Sequence, residues 1–475
     1  MQGGLLMAKK ENGKMLFEFQ NAWDTIKANE VDSVFEFNEQ YKEFLDKGKT
    51  ERECVNEIIR LAEKKGFKNI EEFLDGKEEL KKGEKIYAIN KGKAVALFVM
   101  GEEDLEHGMK IVGAHIDAPR LDLKPFPLYE DGGLALLKTH YYGGIKKYQW
   151  TSIPLALHGV IINKKGQKFQ IVIGENDDEP VFFITDLLPH LAKDQQEKKL
   201  SEVITGEGLN VLAGSIPYGE KEDKERVKLH IMKLLNEKYD IEEDDFTVAE
   251  IEIVPAARAK DVGLDKSMVG AYGHDDRVCS FTALKAILET EMPNKTAVGL
   301  FVDKEEIGSV GNTGMQSRFF ENVVAELLSL QYTGYNDLKV RRAMAASKVL
   351  SADVGAGFDP NYPDVLDKRN AAYIGKGVIL VKYTGVRGKN SSNDANAEFL
   401  AEIRRIFNDN EVQWQIGELG KVDQGGGGTI AYILANYGAE VVDCGVPVLS
   451  MHAPLEIVSK IDVYMAYKAY KAFMK

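Results

Sequence analysis

Cysteine is nearly absent. The 475 residues include only Cys54, Cys279 and Cys444, an odd number with no C-x-x-C spacing. Neither a disulfide framework nor a thiolate zinc knuckle can be built from them, and a reducing compartment is expected. An excess of basic charge is also missing. Against 61 Lys and Arg stand 75 Asp and Glu, for a formal charge of -14. A surface of that sign repels phosphate backbones and anionic lipid headgroups, so neither nucleic acid nor membrane is expected as a partner. No apolar stretch approaches the roughly 18 residues a membrane helix needs, and the opening "MQGGLLMAKKENGK" is too poor in apolar residues for a secretory leader. The chain therefore reads as cytoplasmic, with Met7 as an alternative start that would make residues 1–6 extraneous. Nucleotide loops are lacking as well. Gly425, Gly426, Gly427 and Gly428 precede no Lys-Ser/Thr pair, and Gly355 and Gly357 have no third glycine at dinucleotide-binding spacing.

The hydrophobic content of 44% is sufficient for two or three packed domains. Short β-branched runs ("KAVALFVMG", "KIVGAHID", "AVGLFVDKE", "KVLSADVG", "GVILVKY", "EVVDCGVP") alternate with amphipathic stretches such as "DRVCSFTALKAILE" and "NAEFLAEIRRIFNDN". That alternation predicts an α/β domain, with helices on both faces of a sheet. Between residues 125 and 257 the texture changes. "IPLALHGVIINKKGQKFQIVIGE" and "FTVAEIEIVPA" alternate at period two, as antiparallel strands do, while "VFFITDLLPHLAKDQQ" and "ERVKLHIMKLLNEKY" read as helices. An inserted, mostly β domain over 125–257 is expected, splitting an α/β domain into 1–124 and 258–475. The terminal "SKIDVYMAYKAYKAFMK" reads as a helix opened by a Ser459–Asp462 capping box, with Tyr464, Tyr467, Tyr470 and Phe473 as packing residues.

Five segments carry the chemistry: His115 and Asp117 in "GAHIDAP", Asp275 in "GHDDR", Glu305 and Glu306 in "FVDKEEIGS", Asp353 in "SADVG" and His452 in "VLSMHAP". All follow predicted strands, and the carboxyl ends of strands in an α/β sheet line its ligand crevice. Any one of these residues alone is more often a satisfied structural group than a ligand. A lone Glu-Glu pair is more often a solvated strand end. Together, imidazoles and carboxylates are the usual non-thiolate ligands of zinc, at about 2.0–2.2 Å. Two histidines and three acids exceed one tetrahedral ion but suit two ions about 3.5–4 Å apart. Two divalent cations, three carboxylates (Asp275, Glu306 and Asp353) and one bridging hydroxide sum to zero charge. Glu305 is then left over, free to take the attacking water's proton and return it to the leaving group as general acid/base. These donors accept zinc, cobalt or manganese. His107, His140, His158, His230 and His274 read as structural or surface residues, with His274 and His140 nearest the site.

"GAHIDAPRLDLKP", "GAYGHDDRVCSFTAL", "DKEEIGSVGNTGM", "SADVGAGFDPNYP" and "VPVLSMHAPLEIVSKID", in this order along nearly the whole chain, resemble the aspartyl aminopeptidase family of dizinc metallo-aminopeptidases, which includes a vacuolar aminopeptidase. The resemblance implies a three-layer α/β zinc-peptidase catalytic domain with an inserted dimerisation domain, and hydrolysis of the N-terminal residue from peptides. It further implies that His115, Asp275, Glu306, Asp353 and His452 bind two Zn2+, with Asp275 bridging. Glu305 would be the acid/base, and Asp117 the carboxylate behind a ligand imidazole. His190 in "LLPHLAKD" matches a histidine that reaches into a neighbouring subunit's site, in a homo-oligomer built from dimers into a dodecamer. Lys382, near a basic position suited to an acidic substrate side chain, and the loop Gly425–Gly428 correspond to substrate-facing positions. Relatives carry larger polar residues in that loop, so the preferred N-terminal residue stays open. Two rival readings are a dizinc carboxypeptidase or N-deacylase on the same core, and an inactive assembly protein that keeps zinc for folding.

Overall fold

A computed structural model describes residues 17–76, 80–332, 334–385 and 387–475; the alternative start at Met7 lies outside them. Nine strands form the central sheet. Its middle is parallel: Thr296–Val302, Met109–His115, Lys348–Ser351 and Glu440–Gly445 lie side by side in that order. Antiparallel neighbours close it on either side, Ala94–Val99 against Thr296–Val302 and Val378–Val381 against Glu440–Gly445. Strands covered on both faces need an unbroken apolar run, which "AVALFV" and "TAVGLFV" supply; every residue of both is buried. Successive side chains enter opposite cores. Ile111 and Val349 pack with the helices Phe319–Gln331 and Asp337–Ala345, whereas Val112 and Leu350 pack with Glu51–Glu63, His274–Leu288 and Lys460–Met474. The result is three layers, helices over sheet over helices.

Six antiparallel strands, all drawn from residues 120–255, form a second sheet in the order Lys168–Ile173, Leu155–Ile162, Glu250–Pro255, Arg120–Asp131, Leu134–Tyr142, Val211–Gly214. It begins at Arg120, only five residues beyond His115 on the central strand. Gly132 and Gly133 turn its leading hairpin with φ of 56° and 76°, the left-handed pair that a two-residue turn requires. Pro125 and Pro127 cannot donate to the ladder, and the register slips between Leu123 and Leu128. His158 ties this sheet to the helical layer: its ring nitrogens donate to Glu53 (2.8 Å) and Glu175 (3.0 Å). Five short strands form a third sheet, among them Met268–Ala271, Pro447–Leu449 and Glu456–Ser459; Asp275 opens the helix His274–Leu288 that follows the first of these, and His452 lies on the turn between the other two.

Two local expectations fail. Residues 181–196 are not one helix; Phe182 and Phe183 make isolated bridges to Leu155 and Leu212, followed by the short turns Pro189–Leu191 and Lys193–Gln196. Pro189, in the middle of the stretch, lacks the amide hydrogen a helix would use and leaves Leu188 extended, with φ -65° and ψ 148°. The Ser459–Asp462 capping box does not form. Asp462 instead accepts from the amides of Gly375 (2.6 Å) and Gly377 (2.7 Å), so the same carboxylate pins a distant loop. The Tyr464–Phe473 face packs as expected, with Tyr470 and Phe473 fully buried. All three cysteines are free and buried. Among the described residues no helix is long and apolar enough to cross a membrane.

Candidate metal centre

The four parallel strands point their carboxyl ends at one place. His115 ends one strand, Asp303 to Glu306 follow the next, Asp353 lies two residues past a third, and the fourth leads through the third sheet to His452. The adjacent glutamates share this site because the chain bends after Val302. Lys304 takes a left-handed φ of 67°, and Glu305–Ile307 form a 3-10 turn, in which neighbouring side chains no longer oppose one another. Asp117 fixes that turn, accepting from the amides of Glu305 (3.1 Å) and Glu306 (3.2 Å).

Each imidazole is oriented from behind. The Nδ1 of His115 donates to the carbonyl of Asp117 (3.0 Å), and that of His452 to the carbonyl of Gly144 (2.9 Å). A carbonyl only accepts, so the neutral rings carry their hydrogens on Nδ1 and turn Nε2 lone pairs inward. Between them stands Asp275. Its Oδ1 lies 3.1 Å from Nε2 of His115, and its Oδ2 lies 3.2 Å from Nε2 of His452. Glu306 Oε1 is 3.5 Å from the same His452 nitrogen, while Glu305 and Asp353 each bring an oxygen to 3.9 Å from His115 Nε2. Burial lowers both imidazoles, but the carboxylates around them outweigh it and raise His115 well above its ordinary value and His452 to about 10. A positive charge, whether a proton on Nε2 or a metal ion in its place, is what this arrangement of donors calls for.

Burial pushes the carboxyls upward, Glu305 to about 7 and Glu306 and Asp353 well above their usual range, with the Asp275 charge adding to each. Burial acts on Asp275 in the same sense, but the two imidazoles outweigh it and hold that carboxyl low. Glu306 Oε1 is buried with no hydrogen-bond partner. Atoms sharing a tetrahedral zinc at about 2.0–2.2 Å lie about 3.3–3.6 Å apart, within the spread of these separations. The donor set fits divalent metal, and three overlapping triads, Asp275–Glu306–His452, His115–Asp276–Asp353 and His115–Glu305–Glu306, each gather their ligand atoms within 4.8 Å.

Glu456 was not among the residues singled out in the sequence. Its buried carboxylate accepts from the amides of Asp275 (3.0 Å) and His452 (2.6 Å), so one side chain locks the backbone of both. His452 itself has φ 64°, a left-handed conformation that a non-glycine residue keeps only where its surroundings enforce it. The only sequence signal for Glu456 is an acid four residues beyond a candidate ligand. Asp276, joined to Asp275 by a cis peptide, was missed too. His274 is held in the core by Tyr41 and the Val269 carbonyl, and burial lowers it to about 3. His140 is exposed, and its Nδ1 donates to the Tyr141 carbonyl.

A cavity of about 710 Å³ opens over the cluster. Gly425–Gly428 line it, anchored by Thr429, whose hydroxyl donates to Asp443 (2.6 Å). Lys382 is not in the wall; its ammonium faces Asp394 at 3.4 Å. The basic residues of the wall are instead Arg387, Lys389 and Lys421, all exposed. His190 is on an exposed turn of the segment that follows the second sheet's strand Lys168–Ile173, and it too is absent from the wall.

Residues 44–474 match the family described as Aminopeptidase I zinc metalloprotease (M18). The chain belongs to the M18 aminopeptidases. It is 56% identical over 460 residues to a probable M18 family aminopeptidase 1 of Clostridium acetobutylicum, covering 97% of this chain and 99% of that one. It superposes on the crystal structure of the M18 aminopeptidase of Thermotoga maritima with a TM-score of 0.92 at 47% identity, covering 97% and 100% of the two chains. A dodecamer of mApe1 from S. cerevisiae, at 22% identity and a TM-score of 0.73 over 94% and 97% of the chains, shares the fold. This M18 chain is accordingly a zinc-dependent aminopeptidase, and the family name and the donor chemistry of the cluster agree.

Proposed function

We propose that this M18 aminopeptidase holds two divalent ions, one by His115 and Asp353, the other by Glu306 and His452, with Asp275 shared, and that Glu305 is its general acid/base. The observation that carries the reading is Asp275, which offers one carboxylate oxygen to each imidazole nitrogen. When bound, such an ion pair supplies Lewis acidity to the scissile carbonyl and acidifies a water for attack at neutral pH. Glu305 takes a proton from the attacking water; as the C–N bond breaks it returns that proton to the departing amine. Asp117 and Glu456 keep the cluster in register by holding the backbone of Glu305, Glu306, Asp275 and His452. With the ions bound the cluster sums to zero charge and leaves Glu305 over; that remaining carboxylate at the inner end of the cavity suits a free α-ammonium and opposes a substrate's C-terminal carboxylate. Aminoacyl-anilides with a free amine are therefore expected to be cleaved, and their N-acetyl derivatives at least about a hundredfold more slowly, as befits loss of a charge-assisted contact. Preferential cleavage of the N-acetyl series would support an N-deacylase instead.

Assembly into a homo-oligomer completes the proposal, with His190 serving the neighbouring subunit's site, where it would donate a hydrogen bond to the developing oxyanion. Leu187, Leu188, Leu191 and Leu200 flank it and are exposed, an apolar surface that a second copy would cover. The dodecamer of yeast mApe1 is consistent with such assembly. Inactive His190→Ala and Glu305→Gln proteins, dissociated and reassembled together, are expected to recover about one quarter of parental activity. Random pairing makes half the dimers mixed, each with one intact site. Mixed assemblies verified by mass and lacking activity would exclude sharing.

A further inference from the structure

His140 in "KTHYYGG" does not reach the cluster, but the three residues at the end of its motif do. Tyr142 is the last residue of the second sheet's strand Leu134–Tyr142 and pairs with Arg120 across the hairpin. Its hydroxyl donates to Asp117 Oδ2 at 2.8 Å. Asp117 Oδ1 stands 3.3 Å from Nδ1 of His115, and the same carboxylate receives the amides of Glu305 and Glu306. Gly143 follows with φ 73°, so close that a Cβ there would sit 3.4 Å from the Cβ of Glu306 and from Pro119. Gly144 then gives its carbonyl to Nδ1 of His452 at 2.9 Å, and a Cβ on Gly144 would lie 3.3 Å from that nitrogen. Three consecutive residues thus touch the supports of His115, Glu306 and His452, which lie on three separate segments of the chain.

We propose that Tyr142–Gly144 is a positioning element by which the second sheet sets the geometry of the metal centre, Tyr142 acting through Asp117 on His115 and Gly144 acting on His452. The inference rests on the proposed metal ligands and adds residues that no spacing argument reaches. Tyr142 is a positioning residue, not a catalytic one: its hydroxyl is spent on Asp117, and it does not line the cavity. The tyrosine is itself rigidly held. The Arg120 guanidinium stacks 3.9 Å from the ring centroid, and Arg120 is held by Asp122 (2.8 Å) and Glu252 (3.3 Å), both on the second sheet. A carboxylate with two fixed amide donors still has freedom to rotate about them; the tyrosine hydroxyl adds a third direction and removes it. Any movement of the second sheet relative to the central one is passed to both imidazoles through this turn.

Tyr142→Phe deletes one oxygen and keeps the ring over Arg120, so the fold should persist. The test uses the full-length protein, stripped of metal and titrated with Zn2+ and Co2+ against a competing chelator, with Tyr141→Phe as the adjacent control. Loss of a supporting hydrogen bond behind a metal ligand typically weakens metal binding about 10–100-fold. Tyr142→Phe is expected to show that loss and a shifted Co2+ absorption band, at an unchanged melting temperature of the metal-free protein, while Tyr141→Phe matches the parent. Gly143→Ala, which crowds Glu306, is expected to shift the cobalt band as well. Unchanged affinity and spectrum in Tyr142→Phe would overturn this proposal alone. A parent protein that binds neither ion would overturn the metal-ligand reading, and this proposal with it.

Discussion

Glu305→Gln is expected to lower kcat by about 10²–10⁴-fold, the usual contribution of a positioned proton-transfer group, while the protein retains its metal and its assembly. The amide is isosteric with the carboxylate, and Glu305 is the acid that the charge count leaves without a metal. Its oxygen stands 3.9 Å from His115 Nε2, as does that of Asp353, so the charge count and not the distance sets it apart; removing its charge leaves the Asp275 contacts at 3.1 and 3.2 Å in place. Its backbone amide would still be held by Asp117. Turnover by stopped assay, metal content by elemental analysis and mass in solution, measured on one preparation, check the three parts together. A loss below tenfold would remove Glu305 from the proton transfer; loss of metal would recast it as a ligand.

Asp275→Asn should do the opposite. Asparagine offers one oxygen in place of two, and its NH₂ would face an imidazole lone pair as a hydrogen-bond donor, so one of the two contacts at 3.1 and 3.2 Å changes character. Bound metal is expected to fall from two equivalents per chain to one or fewer. Lewis acidity of this kind contributes several kcal/mol, so kcat/KM should drop at least about 10³-fold. Two retained equivalents with near-parental rates would show that Asp275 is not shared. The pair of substitutions separates holding from proton transfer, because one should lose metal and the other should not.

Much of this was legible in the chain. Strands buried on both faces must be apolar without interruption, so "AVALFV" and "TAVGLFV" announce the central sheet. A polar group placed where such a run stops is conspicuous, which is why His115, Glu305, Glu306 and Asp353 stood out. Of the supports, only Asp117 did. Glu456 acts on backbone amides, and Tyr142 and Gly144 act on a carboxylate and an imidazole from another sheet; none of these contacts leaves a period or a spacing. The expected helix over 181–196 does not form because Pro189 interrupts the apolar periodicity that suggests it and holds Leu188 extended. The Ser459–Asp462 cap failed because a tertiary contact, the amides of Gly375 and Gly377, competed for the same carboxylate. The second sheet's start at Arg120 was hidden by the continuity of "HIDAPRLDL", in which one strand hands directly to the next.

The interior placement of Cys54, Cys279 and Cys444 has a practical side. Burial raises the Cys54 thiol to about 12 and moves Cys279 and Cys444 in the same direction, so the reactive thiolate is scarce as well as shielded. A maleimide dye offered to the native protein therefore finds no natural attachment point. A single cysteine engineered beside His190 would take the label alone, and subunit exchange could be followed by energy transfer without stripping out any native thiol.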